Sequence, residues 1–166
     1  MDRSARKAES LDLNRLLVTA EDEVPTALHA AIARLHMLQT LLAEELQLNE
    51  LIEMTLLRYP RGGYYERHTD TGFKDSPARD GSKASYRRLS FVLFLTPEDW
   101  VASEHGGSLR IWNESLRSHI PKDLEAYVDQ EASSGTLIIF DSTLPHEVRE
   151  TFRERQAIVG WFMKDL

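Results

Sequence analysis

After Asn49 the sequence consists of short runs of β-branched and aromatic residues, separated by clusters of glycine, proline, aspartate and serine. The runs are LIEMTLLRY, RRLSFVLFL, GSLRIW, GTLIIF and RQAIVGWFM. Runs of this length and composition are typical of β-strands, and the clusters between them are typical of turns. Since the strands follow one another without regular helices between them, the pattern predicts a sandwich or barrel-like β-core and argues against alternating βαβ units.

One amphipathic helix is predicted before these strands, over residues 25–48. Its apolar side chains recur at three- and four-residue spacing and form one stripe that can pack against a sheet; they are Leu28, Ile32, Leu35, Leu38, Leu42 and Leu46. Residues 1–22 are polar and charged, and we expect them to form a frayed or weakly helical lead-in. The 166 residues fit one domain, 1–166, with the β-core over residues 51–164.

Composition excludes several classes of site and partner. The chain has no cysteine, so disulfides, thiolate metal sites and cysteine nucleophiles are excluded, and any metal must be held by histidine and carboxylate. A formal net charge of −7 disfavours a nucleic-acid partner. Neither a secretion-signal pattern nor an apolar run long enough to cross a bilayer is evident, so no membrane association and a cytoplasmic location are the expectations.

Two histidines and one aspartate form the candidate metal site. His68 and Asp70 are two positions apart, and in an extended segment both side chains project from the same face. His146 follows a buried strand and a turn at Pro145, and it can supply a third ligand. Two imidazoles and one carboxylate are the facial ligand set of non-haem iron oxygenases. The alternatives are a surface pair for His68 and Asp70, and a histidine bonded to Glu147 for His146.

Arg155 opens the last strand and shares its parity with Ala157, Val159 and Trp161, so its side chain can face the interior. A buried guanidinium needs a carboxylate partner, and its planar fork suits the distal carboxylate of 2-oxoglutarate. The alternative is a surface ion pair with a neighbouring glutamate. Tyr59 shares a face with Thr55 and Leu57 on the first strand, and its hydroxyl can add a polar contact in the same cavity.

A long polar connection follows the first two candidate ligands, from Thr71 to Ser85. A connection of this length without hydrophobic periodicity is either disordered or functional, and its position next to His68 and Asp70 favours a lid over the site. Arg88, just beyond the loop, is a candidate acceptor contact, with a solvated strand edge as the alternative.

The region from about residue 56 to 163 resembles the prolyl-hydroxylase branch of the iron(II)- and 2-oxoglutarate-dependent dioxygenases, which includes the hypoxia-factor prolyl hydroxylases. The matching segments are RYPRGGYYERHTD, RRLSFVLFLTPEDW, HGGSLRIW, GTLIIFDSTLPHEV and RQAIVGWF, in the family's order. The resemblance implies a mainly β fold with the N-terminal helix as support, built as a double-stranded β-helix, or jelly-roll. It also implies the cofactors Fe(II), 2-oxoglutarate and O2, with ascorbate as a stimulating reductant.

The same resemblance implies a role for individual residues. His68, Asp70 and His146 would bind iron, Arg155 would bind 2-oxoglutarate, and Tyr59 would hydrogen-bond to its carboxylate. Further positions are implied in the pocket wall and near the acceptor: Leu109, Val148 and Trp161 in the wall, and Tyr65 near the acceptor. One departure is Phe94, which stands where the family often has tyrosine and removes a hydroxyl that could reach 2-oxoglutarate.

The activity implied is hydroxylation of an aliphatic C–H bond, with conversion of 2-oxoglutarate and O2 to succinate and CO2. The expected acceptor is a prolyl residue in a protein or peptide. Two alternatives stay open: a hydroxylase of a free amino acid or another small metabolite, and a non-catalytic jelly-roll module that binds metal.

Overall fold

The computed structural model describes residues 5–19, 24–70, 85–113 and 126–166. The described elements form two five-stranded antiparallel sheets and three helices. Sheet A has the order β1 (Arg6–Lys7), β4 (Gly63–His68), β9 (His146–Thr151), β6 (Leu109–Trp112) and β7 (Tyr127–Gln130). Sheet B has the order β2 (Glu9–Asp12), β3 (Ile52–Tyr59), β10 (Arg155–Asp165), β5 (Ser85–Phe94) and β8 (Leu137–Asp141). The helices are α1 (Leu13–Thr19), α2 (Thr26–Leu46) and α3 (Ala102–His105). The mainly β architecture predicted from the sequence is therefore confirmed.

The central strands of sheet B, β3, β10 and β5, have buried residues on both faces, which explains why they are apolar without strict alternation. On β3, Leu57 and Tyr59 pack between the sheets, whereas Ile52 and Met54 pack beneath the helices. The inner core continues onto sheet A through buried side chains such as Leu109 and Val148. The two sheets thus enclose one apolar layer, and the helices cover the outer face of sheet B.

Helix α2 has the predicted apolar stripe, and its end is fixed by specific contacts. Ile32 and Leu35 are buried against sheet B, and the helix ends at Gln47, whose positive φ of 55° stops propagation. The buried amide of Gln39 donates hydrogen bonds to the backbone carbonyls of Asn49 and Leu51, at 2.6 and 3.2 Å. These bonds tie the helix to the start of β3.

The polar lead-in differs from its prediction. Instead of a frayed or weakly helical segment, residues 6–12 form two short strands, and only Leu13–Thr19 is helical. Strand β1 pairs with β4 and strand β2 pairs with β3, so one segment covers an open edge of each sheet. All four residues of β2 are exposed. Its sequence shows no hydrophobic alternation from which the pairing could be predicted. Backbone pairing, supported by the ion pair between Glu9 and Arg58 at 2.8 Å, holds it in place.

The predicted lid, residues 71–85, lies almost wholly outside the described residues, with only Ser85 included as the start of β5. Among the helices described, none combines the length and the apolar character required to cross a bilayer.

Candidate metal centre and its cavity

The three predicted ligands converge at one end of sheet A. His68 ends β4 and His146 begins β9, and the two residues are direct partners in the antiparallel pair. Asp70 follows two residues after His68, and its backbone N–H donates to the carbonyl of Ser142 at 3.1 Å. One donor atom from each of the three side chains lies within 4.8 Å of the others. The strand pairing therefore brings together residues that are 78 positions apart in the chain.

Both imidazoles present the same ring nitrogen to the centre. Nδ1 of His68 lies 2.7 Å from the carbonyl oxygen of Glu66, and Nδ1 of His146 lies 3.0 Å from that of Leu144. A carbonyl can only accept, so Nδ1 carries the proton in each ring and Nε2 keeps its lone pair. The two Nε2 atoms lie 3.6 and 3.5 Å from the carboxylate oxygens of Asp70. This tautomer is the one required for metal ligation.

The surroundings keep His68 neutral. Burial, together with the neighbouring His146, lowers the pKa of His68 below its ordinary value. Tyr65 stacks on its ring with centroids 3.7 Å apart, and Phe140 meets the ring of His146 edge-on at 4.8 Å. A sterically held pair of imidazoles beside a carboxylate fits a divalent metal, and a chain without cysteine offers no competing thiolate.

A cavity of about 250 Å³ opens beside the three ligands. Most of the other residues predicted for the site line it: Tyr59, Tyr65, Leu109, Val148 and Trp161. Further lining residues were not predicted; among them are Arg6, Arg87, Ser90 and Phe140. Of these, Ser90 carried a signal in the sequence, because it is a polar residue with the inward parity of Val92 and Phe94. No sequence pattern marked Arg6.

Arg155 is buried next to Tyr59, one of the residues that line this cavity. Its side chain is only 2% exposed, so Arg155 does not form the surface ion pair with Glu150 or Glu154 that was the alternative. Its guanidinium carbon lies 4.7 Å from the ring centroid of Tyr59. Arg155 itself is not among the lining residues and lies behind Tyr59. Its Nε and Nη1 atoms have no hydrogen-bond acceptor among the described residues. Burial lowers its pKa to about 10, so the group stays charged at neutral pH.

An unpartnered buried cation is costly in free energy, and a bound carboxylate would remove most of that cost. The guanidinium also lies 5.3 Å from the ring of Phe94, the residue that stands in place of the family's tyrosine. The indole Nε1 of Trp161, in the cavity lining, is a further buried donor without an acceptor in the described ranges. These orphaned donors fit a polar, anionic ligand beside the metal ligands.

Arg88 does not line the cavity, in contrast to its prediction as an acceptor contact. Its guanidinium makes an ion pair with Asp141. The reason is a register shift between β5 and β10: Leu89 pairs with Phe162, whereas Arg87 pairs with Met163. Arg88 is the extra residue between these two pairs, and it shifts the inward and outward alternation of β5. Arg87 therefore lines the cavity instead of Arg88.

Comparisons with known proteins agree with this geometry. A curated relative, a PKHD-type hydroxylase of Prochlorococcus marinus, is 36% identical over 102 residues. That match covers 61% of this chain and 37% of the relative, so the chain spans well under half of that protein. Among solved structures, a prolyl-4-hydroxylase of Pseudomonas putida has a TM-score of 0.71 and 26% identity. That match covers 98% of this chain and 75% of the Pseudomonas chain.

The collagen prolyl hydroxylase of Paramecium bursaria Chlorella virus-1 has a TM-score of 0.58 at 15% identity, over 96% of this chain and 80% of the viral chain, and shares the jelly-roll fold. The family model of the 2OG-Fe(II) oxygenase superfamily matches residues 54–163, which include all three predicted ligands and Arg155. By this match over most of its length, the chain belongs to the 2OG-Fe(II) oxygenase superfamily.

Proposed function

We propose that the chain is an iron(II)- and 2-oxoglutarate-dependent hydroxylase whose acceptor is a prolyl residue in a protein or peptide. The observation that carries the proposal is Arg155, a buried guanidinium with two orphaned donors next to the cavity that holds the three metal ligands. A ligand with both a chelating end and a distal carboxylate satisfies the metal ligands and Arg155 together.

Each residue has a physical task in this proposal. His68, Asp70 and His146 would hold iron with two imidazoles and one carboxylate. Arg155 pairs with the distal carboxylate of 2-oxoglutarate, and the hydroxyl of Tyr59 adds a hydrogen bond. The side chains of Leu109, Val148 and Trp161 exclude water around the bound co-substrate. When bound, iron and 2-oxoglutarate supply oxygen activation and release of succinate and CO2.

The prolyl acceptor is supported by the likeness to the Pseudomonas putida prolyl-4-hydroxylase and to the PKHD-type hydroxylase. A free amino acid or small metabolite is the alternative acceptor, and a non-catalytic metal-binding module is the alternative to an enzyme. The complete ligand set argues against the module, because none of the three ligands is replaced. A cytoplasmic location, the lack of a nucleic-acid partner and stimulation by ascorbate stay predictions.

The proposal is tested by adding Fe(II) and 2-oxoglutarate to the purified protein without oxygen. Chelation of the ketoacid by iron gives a weak visible charge-transfer band, which we expect in the wild-type protein and not in His146→Ala. His36→Ala is the matched control, because His36 is an exposed histidine on α2 and should leave the band unchanged.

Oxygen is then admitted in the presence of proline-containing peptides or free L-proline, and products are followed by mass spectrometry and succinate release. Oxygenated peptide supports the proposal, and oxygenated free proline alone favours the small-molecule alternative. A protein that binds metal but gives neither band nor succinate would be a binding module.

A further inference from the structure

Arg6 lies at the mouth of the cavity although it belongs to the polar lead-in. It is exposed on β1, lines the cavity, and pairs in register with Tyr65 of β4. Its guanidinium carbon is 5.4 Å from the ring centroid of Tyr65, whose other neighbour is the ring of His68 at 3.7 Å. The positive charge is thus one aromatic ring away from a metal ligand and remains accessible from solvent.

The other charged side chains of the lining already have tasks. Asp70 is one of the three metal ligands. Arg87 donates to Glu53 at 3.0 and 2.8 Å, and its guanidinium lies 3.6 Å from the ring centroid of Trp161. Arg6 therefore contributes a further positive charge to the cavity. A guanidinium has five N–H donors, so Arg6 can keep its existing contacts and still bind an anion.

The charge of Arg6 also reaches the interior. Burial raises the pKa of Tyr59 to about 12, and the positive charges of Arg155 and Arg6 oppose that rise. Tyr59 lies beside Arg155, on the side proposed for 2-oxoglutarate, whereas Arg6 lines the cavity and is exposed to solvent. The cavity thus has the Arg155 guanidinium behind its wall and the Arg6 guanidinium in its lining, besides Arg87, which is paired with Glu53. The carboxylate of the co-substrate would bind Arg155. An acceptor that enters the cavity from solvent would come close to Arg6.

Arg6 also lies outside the residues that the family model matches. The family model begins at residue 54, whereas β1 lies almost fifty positions upstream and reaches the site by pairing with β4. A contribution from this strand can change the choice of acceptor without changing the metal ligands.

We propose that Arg6 determines acceptor specificity by binding a carboxylate of the substrate as it enters the cavity. The proposal rests on the hydroxylase function above. Two sources share this chemistry: an aspartate or glutamate next to the target proline in a peptide, and the α-carboxylate of a free amino acid.

The test compares Arg6→Gln with Lys7→Gln. Lys7 is the adjacent residue of the same strand, is exposed, does not line the cavity, and loses the same charge. The probes are peptides with acetylated and amidated ends that carry Asp or Asn beside a single proline, together with L-proline and L-prolinamide. The kcat/KM is measured for each, and binding of fluorescent versions of the two peptides to the Mn(II)-loaded protein with 2-oxoglutarate is measured by anisotropy.

We expect the wild-type protein to prefer the Asp peptide over the Asn peptide, or L-proline over L-prolinamide, by about fivefold at low salt, as for a partly exposed ion pair. The first preference identifies an acidic side chain and the second an α-carboxylate. Arg6→Gln should abolish the preference without weakening the neutral probe, and Lys7→Gln should keep it. Arg6→Glu should disfavour the acidic probe, and added salt should reduce every difference.

The inference is overturned if Arg6→Gln weakens acidic and neutral probes equally, or if the preference for the carboxylate survives in that variant. Failure of the hydroxylase function looks different, because no acceptor would then gain oxygen in the wild-type protein. The anisotropy measurement still reports on Arg6 in that case. Thermal unfolding of each variant verifies that the exposed substitution on β1 leaves the fold intact.

Discussion

The hydroxyl of Ser90 lies 2.6 Å from Oδ2 of Asp70 and donates a hydrogen bond to this carboxylate. Both the serine and its neighbour Ser142, whose hydroxyl is 2.9 Å away, are fully buried. Ser142 can donate to Ser90 while Ser90 donates to Asp70, so the two hydroxyls form a short chain that fixes the carboxylate. Of the three candidate metal ligands, Asp70 is the one that lies beyond the end of a strand, and the two hydroxyls hold it toward the two imidazoles.

Ser90→Ala is expected to weaken metal binding about 10- to 100-fold, as removal of a residue that orients a ligand commonly does. The fold should remain, because the change only removes one hydroxyl. Titration calorimetry with Mn(II) in the absence of 2-oxoglutarate measures the effect. Ser85→Ala, at the start of the same strand, is the control and should bind Mn(II) as the wild type does. Equal affinities for the Ser90 and Ser85 variants would contradict the orienting role.

Arg155→Met is expected to stabilise the ligand-free protein while it weakens 2-oxoglutarate binding. Removal of the unpartnered charge should raise the free energy of unfolding by about 1–3 kcal/mol. The lost charge-assisted bonds should lower affinity for 2-oxoglutarate by about tenfold or more. Thermal unfolding with and without 2-oxoglutarate and Mn(II) measures both effects, because a ligand stabilises only a protein that binds it.

The control for this exchange is Arg153→Met, which removes an exposed guanidinium paired with Asp99 at 3.0 Å. An exposed pair contributes about 1 kcal/mol or less, and it lies outside the cavity lining. If Arg155→Met lowered stability and left 2-oxoglutarate binding unchanged, the guanidinium would serve the fold and not the co-substrate.

Gly107→Ala should disturb Arg155 without touching the cavity directly. A Cβ at Gly107 would lie 2.7 Å from Nε of Arg155, so the guanidinium has to move. Gly135→Ala is a matched control, because the two glycines have φ of +73° and +72° but a Cβ at Gly135 meets nothing within 4 Å. Both variants should lose about 1–2 kcal/mol of stability from backbone strain. Only Gly107→Ala should also weaken 2-oxoglutarate binding in calorimetry; equal affinities would show that Arg155 tolerates the displacement.

Much of the fold was predictable because its strong elements have strong patterns. The stripe on α2 and the apolar runs of sheet B each specify their own structure locally, and parity along β10 predicted that Arg155 faces inward. The polar strands β1 and β2 could not be predicted, since the open edges of β4 and β3 select them by backbone hydrogen bonds and not by side-chain pattern.

The site was predictable to the extent that its members lie within motifs. His68, Asp70 and His146 were found from their spacing and context, and the structure brings them together. The exchange of Arg87 for Arg88 depends on a register shift, which is a property of the pairing with β10 and leaves no trace in β5 alone. Arg6 reaches the cavity through the long-range pairing of β1 with β4, and no local sequence pattern predicts that pairing.

Strands β1 and β2 belong to one segment of the chain and cover an edge of sheet A and an edge of sheet B. An uncovered strand edge is a template for association with other chains. Proteolytic removal of this single segment would bare an edge of each sheet at once, so the trimmed molecule would be prone to aggregate. Removal of Arg6 would therefore also make the protein prone to aggregate. A trimmed enzyme with altered acceptor selectivity would not accumulate.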